Sequence, residues 1–291
     1  MSSVQPIIEA DVPLAGPGQR IKLLSYNVQA GICTTRYHQY VTSSWKHVLH
    51  HPQRFHNLDR IAQLARGYDL VGLQEVDAGS RRSGFVNLTQ YLAEKAEFPF
   101  WDDRTNRRLG RFASHSMGML SRYLPLEITE HKLPGRVPGR GVLCVRYGRK
   151  DASLMVMIVH LALSRRARME QLAFLSELVN EHRNVVLMGD MNCPSESPEI
   201  NQFINRTLMC EPAHGLHTFP SWRPERNIDH ILVSPTLKVE QVKVLDYPVS
   251  DHLPIAMEIT LPDSGPHGSN GRQPAGRPPV AGKILRQPGS L

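Results

Sequence analysis

The sequence lacks the features that mark several common classes of protein. It contains only four cysteines among 291 residues, and no two of them form a Cys-x-x-Cys pair. They are Cys33, Cys144, Cys193 and Cys210. This spacing argues against a zinc knuckle, a thioredoxin-like site and a disulfide framework, so we expect reduced thiols.

Long apolar runs are also missing. The longest runs, such as Leu154 to Val159, have the length of a strand and fall far below the roughly 20 residues that span a bilayer. Residues 1–20 hold no basic region followed by an apolar one, which is the pattern of a secretory signal. We therefore expect a cytoplasmic protein without stable membrane insertion.

The composition is that of a globular protein with one unusual end. Hydrophobic residues make up 41% of the chain and charged residues 21%, which supports a buried core and excludes bulk disorder. Residues 263–291 hold six Gly and five Pro and carry +3 of the net charge of +7. We predict a loose lead-in over 1–20, one domain over 21–262 and a disordered Gly/Pro/Arg tail over 263–291. The positive charge permits an anionic partner without identifying one.

Hydrophobic periodicity predicts three helices and nine strands. The helices are 54–66, 87–98 and 165–182, and the strands are 21–28, 70–76, 116–121, 141–147, 153–161, 184–188, 228–234, 239–245 and 255–261. Because helices and strands do not alternate strictly, a doubly wound sheet fits poorly. The order favours an α+β fold, in which two mostly antiparallel sheets pack face to face and helices flank them.

Polar side chains interrupt the ends of these apolar strands. They are Asn27, Glu75, His160, Asp190, Asn192, Asp229, Asp251 and His252. Strands that run to a shared edge of a sheet sandwich bring their terminal side chains together. The sequence therefore predicts one cluster of carboxylates, amides and imidazoles.

The residue types in this cluster suit a hard divalent cation. Glu75, Asp251 and Asn27 offer carboxylate and amide oxygens, which favour Mg²⁺ or Mn²⁺ over zinc. Mg²⁺ typically uses one or two carboxylates together with substrate phosphate. This set predicts a magnesium site.

The remaining side chains suit phosphoester hydrolysis. Asp190 and Asn192 are spaced to face the same side of an extended segment, one to hold an attacking water and the other to donate to a phosphate oxygen. Asp229 can orient and charge the His252 ring. His160 supplies a second imidazole donor. Together they predict metal-assisted hydrolysis of a phosphoester.

Each residue taken singly also has an ordinary structural interpretation. Asn27 can be a turn residue, and His160 can be a core histidine. Asp190 and Asn192 can form an Asx turn before Pro194. Their joint occurrence in this order is what favours a catalytic site.

Six short motifs contain these side chains in chain order. They are SYNV (25–28), LQEVD (73–77), VHL (159–161), GDMN (189–192), IDHILVS (228–234) and SDHLP (250–254). They resemble the motifs of the endonuclease/exonuclease/phosphatase superfamily, which includes pancreatic DNase, apurinic endonucleases of the exonuclease III class, inositol polyphosphate phosphatases and bacterial sphingomyelinases. The resemblance runs from Ile21 to Leu261 and implies a four-layer αββα sandwich.

The resemblance also implies a role for each residue. It implies Glu75 as the principal metal ligand, supported by Asn27 and Asp251. It implies that Asp190 orients or deprotonates the water and that Asn192 contacts phosphate. It further implies an Asp229–His252 pair and a transition-state donor at His160.

Two positions refine the resemblance. At His160 the apurinic endonucleases usually carry Tyr, whereas pancreatic DNase and the sphingomyelinases carry His, so the general phosphodiesterase branch is favoured. His230 occupies a place often taken by Tyr. Strand alternation points His230 away from Asp229, so no role is assigned to it.

Basic and aromatic residues in the predicted loops favour a polynucleotide substrate. They are Arg104, Arg107, Arg108, Arg111, Arg136, Arg140, Arg165, Arg166, Arg168, Arg223 and Arg226, with Trp101, Phe112, Phe219 and Trp222. If they rim the site, they form a groove for an anionic backbone and for base stacking. The segment 32–52 either covers this cleft or packs on the surface.

Three functions therefore remain open. The first is a Mg²⁺-dependent nuclease that acts as a monomer on nucleic acid. The second is a phosphodiesterase or phosphatase that acts on a lipid headgroup or another small phosphoester. The third is a catalytically silent binding protein, which the intact Glu75, Asp190 and His252 disfavour.

Overall fold

The computed structural model describes residues 16, 18–29, 53–80, 83–109, 113–135, 139–148 and 153–262. The strands of this part are β1 (Arg20–Asn27), β2 (Leu70–Asp77), β3 (Phe100–Leu109), β4 (Ala113–Ser121), β5 (Glu127–Lys132), β6 (Gly141–Tyr147), β7 (Leu154–His160), β8 (Val185–Asp190), β9 (Asp229–Val233), β10 (Lys238–Val244) and β11 (Ile255–Thr260). Its helices are α1 (Gln53–Ala65), α2 (Leu88–Ala96), α3 (Arg165–Asn180) and α4 (Pro198–Thr207). All nine predicted strands and all three predicted helices are present.

The strands form two sheets that are mostly antiparallel, as predicted. The first sheet has the order β10-β11-β1-β2-β4-β3, in which only the β1–β2 pair is parallel. The second has the order β5-β6-β7-β8-β9, in which only the β7–β8 pair is parallel. Each sheet thus brings the carboxyl ends of two adjacent strands to one edge.

The apolar side chains of β1 point to both faces of the first sheet, and this explains how the layers of the fold pack. Ile21 and Leu23 belong to a core between the two sheets, whereas Leu24 and Tyr26 belong to a core that also contains Leu58 of α1. The third core packs the outer face of the second sheet against α3 and α4. Burial of both sheet faces produces the order helix, sheet, sheet, helix, which confirms the four-layer αββα sandwich.

Polar caps fix where the helices begin. Asn87 accepts hydrogen bonds from two backbone N–H groups at the start of α2, and Ser164 accepts one at the start of α3. Ser197 caps α4, with Pro198 in its first turn. Such caps satisfy N–H groups that have no partner inside the helix.

Several elements differ from the sequence prediction. Strands β3 and β5 and helix α4 were not predicted, and β4 begins at Ala113, three residues before the predicted start. Hydrophobic periodicity places Met169 on the core face of α3 with Leu172, Leu175 and Val179, but its side chain is 40% exposed. Trp101 lies in β3 and is only 4% exposed, so the prediction that it stacks on nucleic-acid bases is wrong.

Parts of the sequence prediction fall outside the described residues. They are the lead-in apart from residues 16 and 18–20, the segment 32–52, the tail 263–291, and Cys33, Arg111, Phe112 and Arg136. Among the helices of the described part, none combines the length and apolar character needed to cross a membrane.

Candidate active site

Three of the predicted site residues form a row across the second sheet. His160 ends β7 and is the register partner of Asp190, which ends β8. Asp190 in turn is the register partner of Asp229, which begins β9. All three are buried. Strand pairing alone therefore brings together three of the eight predicted site residues.

Gly189 allows this row to form. It has a φ of +144°, and a Cβ atom at this position would collide with the carbonyl oxygen of Val159. Only glycine lets the chains of β7 and β8 approach so closely at this point. The sequence motif Gly-Asp-Met-Asn thus depends on its first residue for geometry and on its second and fourth for chemistry.

The first sheet contributes two residues from its parallel pair. Asn27 ends β1, and Glu75 lies near the end of β2, where the register against β4 shifts between Leu73 and Val76. Glu75 has a φ of +56°, in the left-handed region that non-glycine residues rarely adopt. A bulge of this kind redirects a side chain, and strained residues of this kind cluster at functional sites.

The Asp190 carboxylate joins the two sheets. Its Oδ2 accepts a hydrogen bond from Asn27 Nδ2 at 3.1 Å, and its Oδ1 accepts one from the backbone N–H of Asn192 at 2.9 Å. His160 Nε2 lies 3.4 Å from Asp190 Oδ2 and 3.8 Å from Glu75 Oε1. Three predicted residues thus surround one buried carboxylate, and Glu75 lies beside one of them, His160.

Asp229 and His252 form the predicted pair. His252 Nδ1 lies 2.8 Å from Asp229 Oδ2, while His252 Nε2 faces Asp190 Oδ2 at 3.9 Å. The same Asp229 oxygen accepts a hydrogen bond from Thr218 Oγ1 at 2.5 Å. The ring of Phe219 packs on the His252 ring with centroids 4.9 Å apart. The imidazole is therefore held at one nitrogen and on one face.

Asp251 lies in the loop before β11 and is 6% exposed. Ser250 Oγ donates to its Oδ1 at 3.1 Å, and the N–H of Ser221 donates to its backbone carbonyl at 2.7 Å. Burial, partly opposed by the charge of His252 and assisted by that of Glu75, raises the pKa of Asp251 to about 6. Asp251 is therefore close enough to both residues to interact with their charges.

The titration of the cluster reflects a surplus of buried negative charge. Burial and the Asp229 carboxylate raise the pKa of Asp190. Burial by itself would lower the pKa of His252, but Asp229, Asp190 and Asp251 outweigh it and raise the pKa to about 10. The imidazole of His252 is thus charged at neutral pH, and four carboxylates meet at a site with two imidazoles.

This surplus fits a divalent cation. Asp190, Asp229 and His252 offer ligand atoms within 4.8 Å of one another, close enough to hold an ion. However, Asp229 Oδ2 already accepts from Thr218 and lies 2.8 Å from His252 Nδ1, so we interpret these three residues as a hydrogen-bonded group and not as the metal ligands. Glu75, Asp251 and the Asn27 amide oxygen are hard ligands beside it, and they match the chemistry of Mg²⁺.

The structure brings all eight predicted residues to one edge of the sandwich. The side chain of Asn192, however, makes a contact that was not predicted. Its side-chain Nδ2 donates to the carbonyl oxygen of Leu161 at 2.9 Å, and its φ is +54°. The amide thus fixes the loop after His160 in this structure. Its predicted contact with phosphate stays a prediction.

Sequence reasoning missed the support given by Thr218. Thr218 begins the segment Thr-Phe-Pro-Ser (218–221), and no pattern along the chain shows that its hydroxyl meets a carboxylate eleven residues later. Cys193 is close to the site in the sequence, but burial raises the pKa of its thiol to about 11, which argues against a role as nucleophile.

Only some of the arginines predicted to surround the site are exposed and could contact an anionic substrate. Arg168 is buried, donates to Glu199 Oε1 at 2.7 Å and also binds the carbonyls of Ala162 and Leu163, so its assignment to the rim is wrong. Arg104 is paired with Asp102 at 2.6 Å. Among the described side chains, Arg165, Arg166, Arg223 and Arg226 are exposed. The first three form surface ion pairs with Glu199, Glu170 and Glu225, which are weak enough for an anionic ligand to replace. The side chains of Arg107 and Arg108 lie outside the described part.

Comparison with known proteins agrees with this geometry. The Endonuclease/Exonuclease/phosphatase family matches residues 24–252. No curated protein matches the sequence. Among solved structures, an endonuclease/exonuclease/phosphatase family protein from Bacteroides thetaiotaomicron is similar, with 19% identity, a TM-score of 0.62, and coverage of 83% of this chain and 98% of that one.

Two further structures show the same fold. The mannosyl-6-phosphatase of Bacteroides thetaiotaomicron is 18% identical with a TM-score of 0.61, and the alignment covers 82% of this chain and 99% of that one. Beta toxin from Staphylococcus aureus is 16% identical with a TM-score of 0.59, and coverage is 81% and 99%.

The fold and the site define a phosphoester-hydrolysing enzyme whose buried carboxylates are suited to a metal ion. The chain belongs to the endonuclease/exonuclease/phosphatase family, whose members are metal-dependent.

Proposed function

We propose that the protein is a Mg²⁺-dependent phosphodiester hydrolase. The observation that carries the proposal is the Asp190 carboxylate, which lies 3.4 Å from His160 Nε2 and 3.9 Å from His252 Nε2. Two imidazoles and one carboxylate thus converge where a phosphoryl group and an attacking water can meet. Convergence of this kind supports phosphoryl transfer to water.

Glu75, Asn27 and Asp251 would hold the ion. When bound, Mg²⁺ would polarise the phosphoryl group and offset its negative charge. Glu75 is held by the β2 bulge with its carboxylate 3.8 Å from the His160 ring, so the ligand set lies directly beside the imidazoles.

Asp190 is the proposed base. Its two oxygens are oriented by Asn27 and by the N–H of Asn192, so the carboxylate does not need to reorganise before it accepts a proton from water. Burial and the Asp229 carboxylate raise its pKa, which makes it a stronger base than an exposed aspartate.

His252 is the proposed stabiliser of the transition state. Asp229 holds its Nδ1, which keeps the ring charged and directs Nε2 toward the reacting phosphoryl oxygens. His160 is a second donor on the other side of Asp190. Asn192 becomes a phosphate contact if its amide leaves the Leu161 carbonyl when substrate binds.

For the substrate we propose a polynucleotide, because the exposed Arg165, Arg166, Arg223 and Arg226 can contact phosphates. The test is hydrolysis of plasmid DNA, single-stranded DNA and RNA with Mg²⁺ at several salt concentrations. Polynucleotide cleavage that weakens steeply with salt is expected. Cleavage of bis(p-nitrophenyl) phosphate without cleavage of any polynucleotide would contradict this choice of substrate.

A second candidate is a phosphoester at a lipid surface. Phe85, on the loop after β2, is 68% exposed, and Leu163, three residues after His160, is 77% exposed. Each lies near a pair of arginines in the sequence, Arg81-Arg82 and Arg165-Arg166. Exposed apolar side chains beside basic ones are typical of peripheral lipid contacts.

Vesicles test this alternative. Co-sedimentation with phosphatidylserine-containing vesicles that Leu163→Ser abolishes would favour it. Leu208→Ser is the matched control, because Leu208 is 73% exposed at the end of α4. Absence of vesicle binding by the wild-type enzyme would exclude it.

A further inference from the structure

His230 lies beside Asp229 in β9, and its side chain is fully buried. Successive side chains of a strand point to opposite faces, so the His230 ring does not join the Asp229–His252 pair. Its Nδ1 lies 2.7 Å from Glu211 Oε1, and its Nε2 lies 2.8 Å from the carbonyl oxygen of Cys193. Both ring nitrogens therefore face oxygen atoms.

The chemistry of these partners sets the charge of the ring. A backbone carbonyl only accepts hydrogen bonds, and an ionised carboxylate only accepts. Glu211 Oε1 also accepts a hydrogen bond from Ser195 Oγ at 2.9 Å, and Ser195 Oγ accepts one from Asn227 Nδ2 at 2.7 Å. Glu211 thus receives donors from two sides, so His230 donates from both nitrogens and is an imidazolium ion.

The electrostatics agree with this assignment. Burial would raise the pKa of Glu211, but the hydrogen bonds from His230 and Ser195 outweigh it and lower the pKa. Burial would lower the pKa of His230, but the hydrogen bond to Glu211 and its charge outweigh this effect and raise the pKa.

The Cys193 carbonyl matters because of the residue before it. Asn192 has a φ of +54°, which non-glycine residues rarely adopt, and its N–H donates to Asp190 Oδ1. Its side chain holds the Leu161 carbonyl next to His160. A donor that fixes the Cys193 carbonyl therefore fixes the turn that orients Asp190.

We infer that His230 is a positioning residue: a buried imidazolium, balanced by Glu211, that holds the Cys193 carbonyl and so keeps the Asn192 turn against the Asp190 carboxylate. The inference rests on the proposed role of Asp190 as base. It gives a function to a residue that neither contacts the cluster nor was assigned a role from the sequence.

Two substitutions separate positioning from stability. In His230→Gln the side-chain amide can reach the place of Nε2 and still donate to the Cys193 carbonyl. In His230→Asn the amide reaches only the place of Nδ1, near Glu211. Both variants lose the ion pair, but only His230→Asn loses the donor to the loop.

The measurement is kcat and KM for Mg²⁺-dependent hydrolysis of bis(p-nitrophenyl) phosphate. We expect His230→Asn to lower kcat roughly 10- to 100-fold with little change in KM, because small misplacement of a reacting group has costs of this order. We expect His230→Gln to retain clearly more of kcat. His214→Ala is the control, since His214 also approaches Glu211, at 3.4 Å, but its side chain is 70% exposed.

Nuclear magnetic resonance gives a readout that does not need activity. In the wild-type protein, ¹⁵N-labelled His230 should show two protonated ring nitrogens at pH 7.5, and Glu211→Gln should remove that signature while His214→Ala keeps it. If neither His230 variant folds, Glu211→Gln carries the kinetic test, with a lower kcat expected.

The outcomes are distinguishable. A neutral His230 ring in the wild-type protein, or wild-type kcat in both His230→Asn and Glu211→Gln, would overturn the inference while leaving the proposed function intact. A wild-type enzyme without hydrolytic activity would instead refute the proposed function, and the ring signals would still report on the charge of His230.

Discussion

Asp190 and Asp229 are direct register partners across β8 and β9, and both carboxylates are buried. Like charges placed opposite each other normally destabilise an antiparallel pair of strands. Here His252 offsets the repulsion, since its Nδ1 lies 2.8 Å from Asp229 and its Nε2 faces Asp190 at 3.9 Å. Strand pairing thus holds two carboxylates and a charged imidazole together at the site of the proposed reaction.

The first prediction concerns Thr218, whose hydroxyl donates to the Asp229 oxygen that also binds His252. Thr218→Val removes this donor, so Asp229 holds the imidazole less firmly. Because a hydrogen bond to a charged group is worth about 1.5–3 kcal/mol, we expect kcat to fall roughly tenfold or more. Thr218→Ser keeps the hydroxyl and should restore most of kcat. Equal kinetics for the Val and Ser variants would show that the hydroxyl has no catalytic consequence.

The second prediction concerns metal binding at Glu75. Mg²⁺ should raise the melting temperature of the wild-type protein, because an ion that binds only the folded state at 100 times its Kd adds about 2.7 kcal/mol of stability. Glu75→Gln should remove most of this increase. Glu97→Gln is the control, since the Glu97 side chain is 74% exposed and lies outside the site. A Glu75→Gln protein that responds to Mg²⁺ like the wild type would contradict the assignment of the ligand.

The third prediction concerns pH and Asp251, whose pKa is raised to about 6, mainly by burial. An acid with a raised folded-state pKa binds protons more tightly when folded, so its contribution to stability is lost as pH rises through about 6. In EDTA at pH 8, Asp251→Asn should therefore be more stable than the wild type, by up to about 3 kcal/mol. At pH 5 roughly half of the difference should remain, because the carboxyl group is then mostly protonated in the folded state and mostly ionised in the unfolded state; the difference disappears only below the ordinary aspartate pKa.

Thermal unfolding at the two pH values, with and without Mg²⁺, shows whether Asp251→Asn is more or less stable than the wild type. Mg²⁺ should favour the wild type, because the ionised Asp251 then has a cation beside it. Greater stability of the wild type at pH 8 in EDTA would show that Asp251 does not contribute to a surplus of charge.

The fourth prediction concerns Arg168, which joins α3 to Glu199 of α4 and to the carbonyls after β7. Removing one partner of a buried ion pair leaves the other charge uncompensated, so Arg168→Ala should cost about 3–5 kcal/mol. Arg166→Ala should change stability by less than about 0.5 kcal/mol, since its side chain is 81% exposed. Denaturant unfolding compares the two variants, and similar losses would contradict the structural role of Arg168.

The site was more predictable from the sequence than the rest of the fold. The polar residues at strand ends lie in short motifs that can be read from the sequence. Because the strands of a sandwich end at a common edge, His160, Asp190 and Asp229 could be placed together. The bulge at Glu75 and the side-chain contact of Asn192 with Leu161 could not be predicted, because they depend on local backbone geometry.

The errors have separate physical origins. β3 contains the polar run Asp102 to Arg108, which hides the alternation that buries Trp101. Arg168 follows two exposed arginines in the chain and was grouped with them, although its position on α3 turns it toward Glu199. Only α4 carried a clear signal that was missed, the Ser197-Pro198-Glu199 start of a helix.

The proposed catalytic cluster is tested by Mg²⁺-dependent hydrolysis of bis(p-nitrophenyl) phosphate by the wild-type protein, Asp190→Asn and His252→Gln. We predict hydrolysis by the wild type that EDTA abolishes, and a loss of kcat of roughly 10²–10⁴-fold in each variant, the usual contribution of such a group. Folding is monitored by circular dichroism. Hydrolysis that persists in EDTA, or a folded Asp190→Asn protein with wild-type kcat, would contradict the central claim that this cluster hydrolyses phosphoesters with a bound metal ion.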